Sequence, residues 1–417
     1  LYLKRVPTEF WMCAATLLTS LLFILGHGNG LNLSRGDFIK VSSTMIATTQ
    51  SAAQVTSRQA SSRSSCAFSS SFVSVSSESI PVSIWYPMNR LEETEISSPA
   101  SYPYRISLSK IVKLLIGIGL PFDIARNFPL ERTDIESAEG GSPSLVNEDG
   151  LPQPAIVFCH GYLGSRFDFM HVCEMLASQG FVVAAPELPE SLSATFTPNE
   201  GTSRFDIVES TLCLLRAEFG VKEAVGIMGH SAGGGTASTM PGRFPLGRVA
   251  VAGYRGYDGP DPLLVIASAT DSVIGFERIR QQLDTTFLVL EGSQGEPSSS
   301  SHPNTAGSST YTERQKLALL FSRDLRKNTE NSGGSDGAPS FVAPNHISFL
   351  SGDTNDAMVS FLSPLLPLAR LLGVPLLDFD KYAISRDSKA TGAVVLPVIK
   401  RFFKDNLASM EEAAADI

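Results

Sequence analysis

The segment Gly229-His230-Ser231-Ala232-Gly233 sets a serine between two glycines in the pattern G-x-S-x-G. A strand-to-helix turn sharp enough to lift a serine hydroxyl above its sheet leaves no room for side chains on its flanks, so glycines stand there. The apolar stretch Ala224–Met228 before it, and a helix opening at Ala232, supply that context. A second match, Gly333-Gly-Ser-Asp-Gly337, has no strand before it and reads as a decoy. Ser231 is the candidate nucleophile, and it needs a base to take its proton. The chain has six histidines. His27 lies in the N-terminal leader, and His302 in a Gly/Ser-rich stretch. His230 sits inside the elbow, pointing away from the hydroxyl. His171, beside Val172 and Cys173, reads as packed. His160 belongs to a separate H-G turn. His346, in Ala343-Pro-Asn-His-Ile-Ser-Phe349, remains. An acid must orient the imidazole and stabilise its protonated form. Leu263–Asp271 is a strand running into an aspartate, so Asp271 is the candidate, with Asp258 in Gly256-Tyr-Asp-Gly259 as the alternative acid. The turn Phe158-Cys-His-Gly-Tyr-Leu-Gly164 offers the Tyr162 N–H, which with the Ala232 N–H would cradle an oxyanion. Such a set would cleave an ester through an acyl-serine.

These residues need a scaffold that brings strand ends together. From Pro154 onward short apolar runs alternate with helical spacing. Strands are expected at Ala155–Phe158, Phe181–Ala185, Ala224–Met228, Arg248–Ala252, Leu263–Ala267 and Phe287–Leu290. Helices are expected at Arg166–Ser178, at Phe205–Phe219, from Ala232, and from about Ala393 to Leu407. This is the pattern of an α/β fold with a mostly parallel central sheet and helices on both faces. Folded sequence is expected from residue 78 to about 410. Within it, 292–340 reads as a flexible insertion around a helix-like piece at Tyr311–Lys327, and about 60 residues after Pro87 show no clear strand.

Five stretches carry a family resemblance: Ile84-Trp-Tyr-Pro87, the turn at 158–164, Phe181-Val-Val-Ala-Ala185, the GHSAGG elbow and the segment PNHISF. The sequence resembles the α/β-hydrolases, in the branch of chlorophyllases and platelet-activating-factor acetylhydrolases. The resemblance spans most of 80–290 and 341–407. It implies an α/β-hydrolase fold, carboxylic-ester hydrolysis, and the chain order serine, acid, histidine, which Ser231, Asp271 and His346 follow. Plant chlorophyllases carry arginine directly after the serine; Ala232 stands there in this chain. The apolar segments 111–122 and 357–377 could wall a site for a long alkyl chain. The expected function is hydrolysis of chlorophyll to chlorophyllide and phytol. The alternatives are an acetylhydrolase or phospholipase A2-like lipid esterase, and a non-catalytic binder of apolar ligands.

Length and composition bound the rest. The chain has 417 residues and a formal charge of −9, with 43% hydrophobic and 18% charged residues. A large core can form, and the acidic balance argues against nucleic acid as a partner. The five cysteines include no CxxC, and no metal or nucleotide motif occurs, so no cofactor is implied. Residues 1–30, with Lys4 and Arg5 before the apolar run Phe10–Gly26, read as a signal peptide or signal anchor. Residues 31–77 are rich in Ser and Thr and hold one acid, Asp37, among several basic residues; they read as a disordered, transit-like segment. The two together predict a plastid address, with the secretory pathway or ER as the alternative. The expected partner is an apolar ester, reached with contact to a membrane surface.

Overall fold

A computed structural model describes residues 66–88, 101–117, 125–131, 137–139, 143, 152–284, 286–291, 316–322, 343–363, 366–371 and 373–415. The expected signal region 1–30 lies outside the described residues, as does most of 31–77. Among the described residues no helix is long and apolar enough to cross a membrane.

Seven parallel strands form the main part of the sheet: β6 (Ala155–Cys159), β7 (Val182–Pro186), β8 (Val225–His230), β9 (Gly247–Val251), β10 (Leu263–Ser268), β11 (Phe287–Glu291) and β12 (Lys316–Phe321). The described sheet continues through β2 (Glu78–Pro87), antiparallel to β7, and β1 (Cys66–Val75), to the short β5 (Ser137–Glu139). Its order is β11-β12-β10-β9-β8-β6-β7-β2-β1-β5. A separate hairpin pairs β3 (Ser101–Ser107) with β4 (Ala125–Glu131). Strands β6 to β10 are buried along their whole length, which is why they read as unbroken apolar runs rather than alternating ones.

The chain winds from β6 to β7 on one side and returns to β8 on the other. The order reverses at β6 and β8, so the C-terminal ends of these two strands mark the switch point at which open α/β sheets bind their ligands. Helix α1 (Leu108–Ile116) follows β3, and the helices that cover the sheet include α2 (Met170–Ala177), α3 (Arg204–Phe219), α4 (Ala232–Thr239) and α5 (Phe276–Gln282). C-terminal to the sheet follow α6 (Gly352–Leu362), α7 (Leu366–Leu371) and the long α8 (Ser388–Ala415). Helix α3 starts on a Ser203 cap bonded to the Phe205 N–H and stops at Gly220, in the left-handed region at φ 64°.

Four expectations need correction. Strand β1 lies inside the segment expected to be disordered. It pairs residue for residue with β2 across a two-residue turn, Ser76–Ser77, whose φ angles of 47° and 69° suit a tight hairpin. It buries Cys66, Ala67, Phe68, Val73 and Val75 around a run of three serines, so Ser-rich composition masked a half-buried strand. Strand β12 was expected as part of a helix-like piece. Its sequence KLALLF is rich in helix formers, but Ala318 to Phe321 are buried between β10 and β11, and that packing outweighs propensity. The 292–340 stretch is therefore not one insertion; 292–315 and 323–342 lie outside the described residues. The stretch after Pro87 holds β3, β4 and β5. Helix α2 begins at Met170, because Arg166–Phe169 is taken up by turns that serve the site.

Candidate active site

Ser231 follows the last residue of β8 and holds φ 55°, ψ −120°. Such a conformation costs on the order of 1–3 kcal/mol and persists only where the surroundings enforce it. They do so here through close backbone contact. A Cβ on Gly229 would stand 2.2 Å from Gly233 O, and one on Gly233 would stand 1.9 Å from Cys159 O. The Ser231 N–H donates to Val251 O at 2.8 Å, tying the elbow to β9. Gly253, which the sequence reading did not single out, completes this packing: a Cβ there would lie 1.8 Å from Ser231 O.

The structure brings Ser231, His346 and Asp271 together. His346 Nε2 lies 2.9 Å from Ser231 Oγ, and His346 Nδ1 lies 2.8 Å from Asp271 Oδ2. All three are buried. Asp271 Oδ1 accepts from the N–H groups of Val273 and Ile274, each at 2.9 Å, which leaves Oδ2 for the imidazole. With the carboxylate at Nδ1, the proton sits on that nitrogen and Nε2 presents its lone pair to the serine. The alternative acid, Asp258, is exposed in the loop after β9, beside Tyr254, and the structure does not join it to His346.

His346 opens a 3-10 turn, His346–Phe349, capped reciprocally by Asn345 and Ser348. Its carbonyl accepts from His230 Nε2 at 2.9 Å. His230 thus points away from the serine, as the sequence suggested, and also holds the backbone of the candidate base. Burial first, and the nearby His346 second, push the His230 imidazole well below its ordinary value, so it stays neutral.

The H-G turn lies against the serine. A Cβ on Gly161 would stand 3.0 Å from Ser231 Cβ. His160 is buried and lowered to about 3, mainly by burial and then by the Arg204 charge. Its Nε2 accepts from the Leu188 N–H at 2.8 Å, so Nδ1 carries the proton and donates to Gly161 O at 2.8 Å. Glu187, 3.7 Å away, is therefore a neighbour of a neutral ring rather than its ion-pair partner. Carbonyl and N–H of one peptide point in opposite directions, so this bond turns the Tyr162 N–H away from His160. Ala232 is the first residue of α4, where the N–H has no partner within the helix. Both expected oxyanion donors thus flank Ser231 in the chain or across the turn. The Tyr162 side chain is partly exposed, and its hydroxyl donates to Leu114 O of α1.

Arg204 and Asp168 were not anticipated from the sequence. Arg204 Nη1 donates to His160 O at 3.0 Å while the same guanidinium pairs with Glu190 at 2.8 Å. Asp168 Oδ1 accepts from the Ser165 N–H at 3.1 Å, and burial lifts its carboxyl to about 8. Each braces the 160–168 loop from a position with no recognisable motif. Of the apolar segments expected to wall a site, α1 buries Leu108, Ile111 and Val112, while 118–124 lies outside the described residues.

Residues 154–250 match the alpha/beta hydrolase fold family. Chloroplastic chlorophyllase-1 from Citrus unshiu is 28% identical over 174 residues, which are 38% of this chain and 53% of the relative. Chlorophyllase-1 from Citrus sinensis matches equally. The chain spans about half the length of these curated relatives. Among solved structures, a ferulic acid esterase from Streptomyces cinnamoneus aligns over 54% of this chain and 73% of its own, at 18% identity and a TM-score of 0.33. An α/β serine hydrolase from Xanthomonas campestris covers 61% of this chain and 85% of its own, at 12% identity and a TM-score of 0.32. The mostly parallel sheet with helices on both faces, and the family match over 154–250, make this an α/β-hydrolase fold.

Proposed function

We propose that this α/β-hydrolase-fold protein is a serine carboxylic-ester hydrolase whose preferred substrate is an ester with a long apolar alcohol, chlorophyll first among them. The observation that carries the reading is the hydrogen-bonded line from Ser231 Oγ through His346 to Asp271. Ser231 attacks the ester carbonyl as His346 Nε2 takes its proton. The Tyr162 and Ala232 N–H groups receive the oxyanion, each worth about 2.7–4 kcal/mol of transition-state stabilisation. His346 returns the proton to the departing alcohol, and water then releases the acid from the serine by the same route in reverse. Asp271 keeps the imidazole in the required tautomer and steadies its charge.

The similarity to chlorophyllase-1 supports chlorophyll as substrate, and the plastid-type leader expected from the residues before β1 agrees with it. In that reaction the departing alcohol is phytol and the acyl group is the propionate of the macrocycle. The test is incubation with chlorophyll a, a short nitrophenyl ester and an acetyl phospholipid in parallel, with Ser231→Ala as control. Chlorophyllide formed by wild type and not by the control is the expected result. Cleavage of the nitrophenyl ester or the phospholipid alone would keep the serine mechanism and remove chlorophyll. Failure of a fluorophosphonate probe to label Ser231 would remove the mechanism itself.

A further inference from the structure

Asp378 sits just past α7, in a loop with no catalytic motif, yet it touches both loops that supply the base and the acid. Its Oδ2 accepts from the Ser272 N–H at 2.9 Å, directly after Asp271, and from the His346 N–H at 3.4 Å. Its Oδ1 accepts from the Ser272 hydroxyl. Its own carbonyl accepts from Asn345 Nδ2 at 3.1 Å. The carboxylate is buried, and Lys381 closes it from the solvent side at 3.4 Å. The residue holds φ 67°, an unfavourable conformation for a side-chain-bearing residue. A buried charge on a strained backbone, spent mainly on two other loops, needs a reason.

Those two loops have little else to fix their spacing. Asp271 follows β10, and His346 lies on a 3-10 turn outside the sheet. Besides the His346–Asp271 bond itself, the Thr270 hydroxyl ties the two segments by donating to Pro344 O at 2.7 Å. We propose that Asp378 is a positioning residue that clasps the Asp271 loop to the His346 turn and so sets the His346–Asp271 hydrogen bond. The proposal rests on the serine-hydrolase reading for its effect on rate, but not for its effect on geometry. His346 is then held at its N–H by Asp378 and at its carbonyl by His230, which leaves its ring one orientation.

The test is Asp378→Gly, which removes the carboxylate while glycine keeps the positive φ without strain. Three readouts on the full chain are compared with wild type: the low-field NMR signal of the His346 Nδ1 proton, the rate at which a fluorophosphonate labels Ser231, and kcat and KM on a short nitrophenyl ester. The expected result is a broadened or lost low-field signal, with labelling and kcat down by about 10–100-fold and KM unchanged. Asp261→Asn, which weakens a buried network elsewhere, serves as the stability control and should not slow labelling of folded molecules. A D378G protein with the wild-type signal, labelling rate and kcat would overturn the proposal, as would equal slowing in D261N. If wild type itself does not label, the serine-hydrolase reading fails and the NMR comparison alone decides the clasp: an unchanged signal sinks it, a lost one upholds it.

Discussion

Replacing Asp271 by asparagine tests the acid at its most informative atom. Asp271 Oδ1 is fixed by two backbone N–H donors, from Val273 and Ile274. An asparagine must keep its carbonyl oxygen there. Flipping the amide would set its NH2 against both donors and lose two hydrogen bonds at about 1 kcal/mol each. The NH2 therefore faces His346 Nδ1, where the carboxylate stood at 2.8 Å. Nδ1 must then accept, the proton moves to Nε2, and the lone pair facing Ser231 Oγ at 2.9 Å is gone. The same change in a serine triad on another fold lowers kcat by roughly 10⁴, or about 5.4 kcal/mol of barrier. The expected outcome is a loss of that size in kcat on a short nitrophenyl ester near neutral pH, with the circular-dichroism spectrum and unfolding midpoint unchanged. Asp258→Asn, in an exposed loop, should leave kcat unaltered. A folded D271N enzyme within about tenfold of wild type would refute the tautomer argument, because no other carboxylate is described against His346 Nδ1.

Further expectations concern the loop, the elbow and the supporting ion network. Gly161→Ala would set a methyl 3.0 Å from Ser231 Cβ and 3.2 Å from His230 O; displacing the turn should lower kcat by about 10–100-fold in steady-state assays while the protein stays folded. Arg248, buried on β9, pairs with Asp261 at 3.0 Å and donates to the carbonyls of Ala237, Met240 and Gly242 at the far end of α4. Arg248→Ala leaves Asp261 with only the more exposed Arg243 as ionic partner and strips three carbonyls of their donor, and should cost about 3 kcal/mol in urea unfolding, with an unchanged m-value. Burial lifts Asp168 from 3.8 to about 8, so between those values the folded chain holds a proton there that the unfolded chain has released, and this residue's contribution to stability falls as pH rises through that window. Asp168→Asn keeps the acceptor for the Ser165 N–H and has no proton to lose. The stability of wild type relative to this variant, compared by thermal midpoint, should therefore fall steadily from about pH 5 to about pH 8, since the buried histidines titrate alike in both.

Much of the site was legible in the sequence because its residues answer to local constraints. The elbow needs glycines where backbones touch, and that requirement fixes a five-residue pattern around Ser231. The parallel strands β6 to β10 are buried on both faces, so they stand out as apolar runs. Elimination reached His346 because few histidines compete. What escaped was set by non-local packing. The serines of β1 fall on both faces of a half-buried strand, and nothing in their identity distinguishes them from a linker. The residues of β12 favour a helix in isolation and become a strand only because β10 and β11 leave a slot for one. Arg204 and Asp378 are single polar residues whose partners lie at distant points of the chain, and Asp168 holds a turn three residues before it without any motif to mark it.

A physical regularity connects those polar residues. The nucleophile is held by regular structure: a strand ends, a helix begins, and the backbone contact between Gly233 and Cys159 fixes the angle. The base has no such frame. His346 sits outside the sheet, so its position depends on individual hydrogen bonds: His230 at its carbonyl, Asp378 at its N–H, Asn345 and Ser348 closing the turn. A rigid elbow tolerates the loss of a single hydrogen bond, because steric contact still defines the serine. A base held by a few bonds loses its orientation with any one of them. Substitutions of the elbow glycines Gly229 and Gly233 should therefore act mainly through folding, and substitutions around His346 mainly through turnover. Measuring stability and kcat for matched pairs, such as Gly233→Ala against Asp378→Gly, separates the two, and a pair that lost both in equal proportion would count against this division of labour.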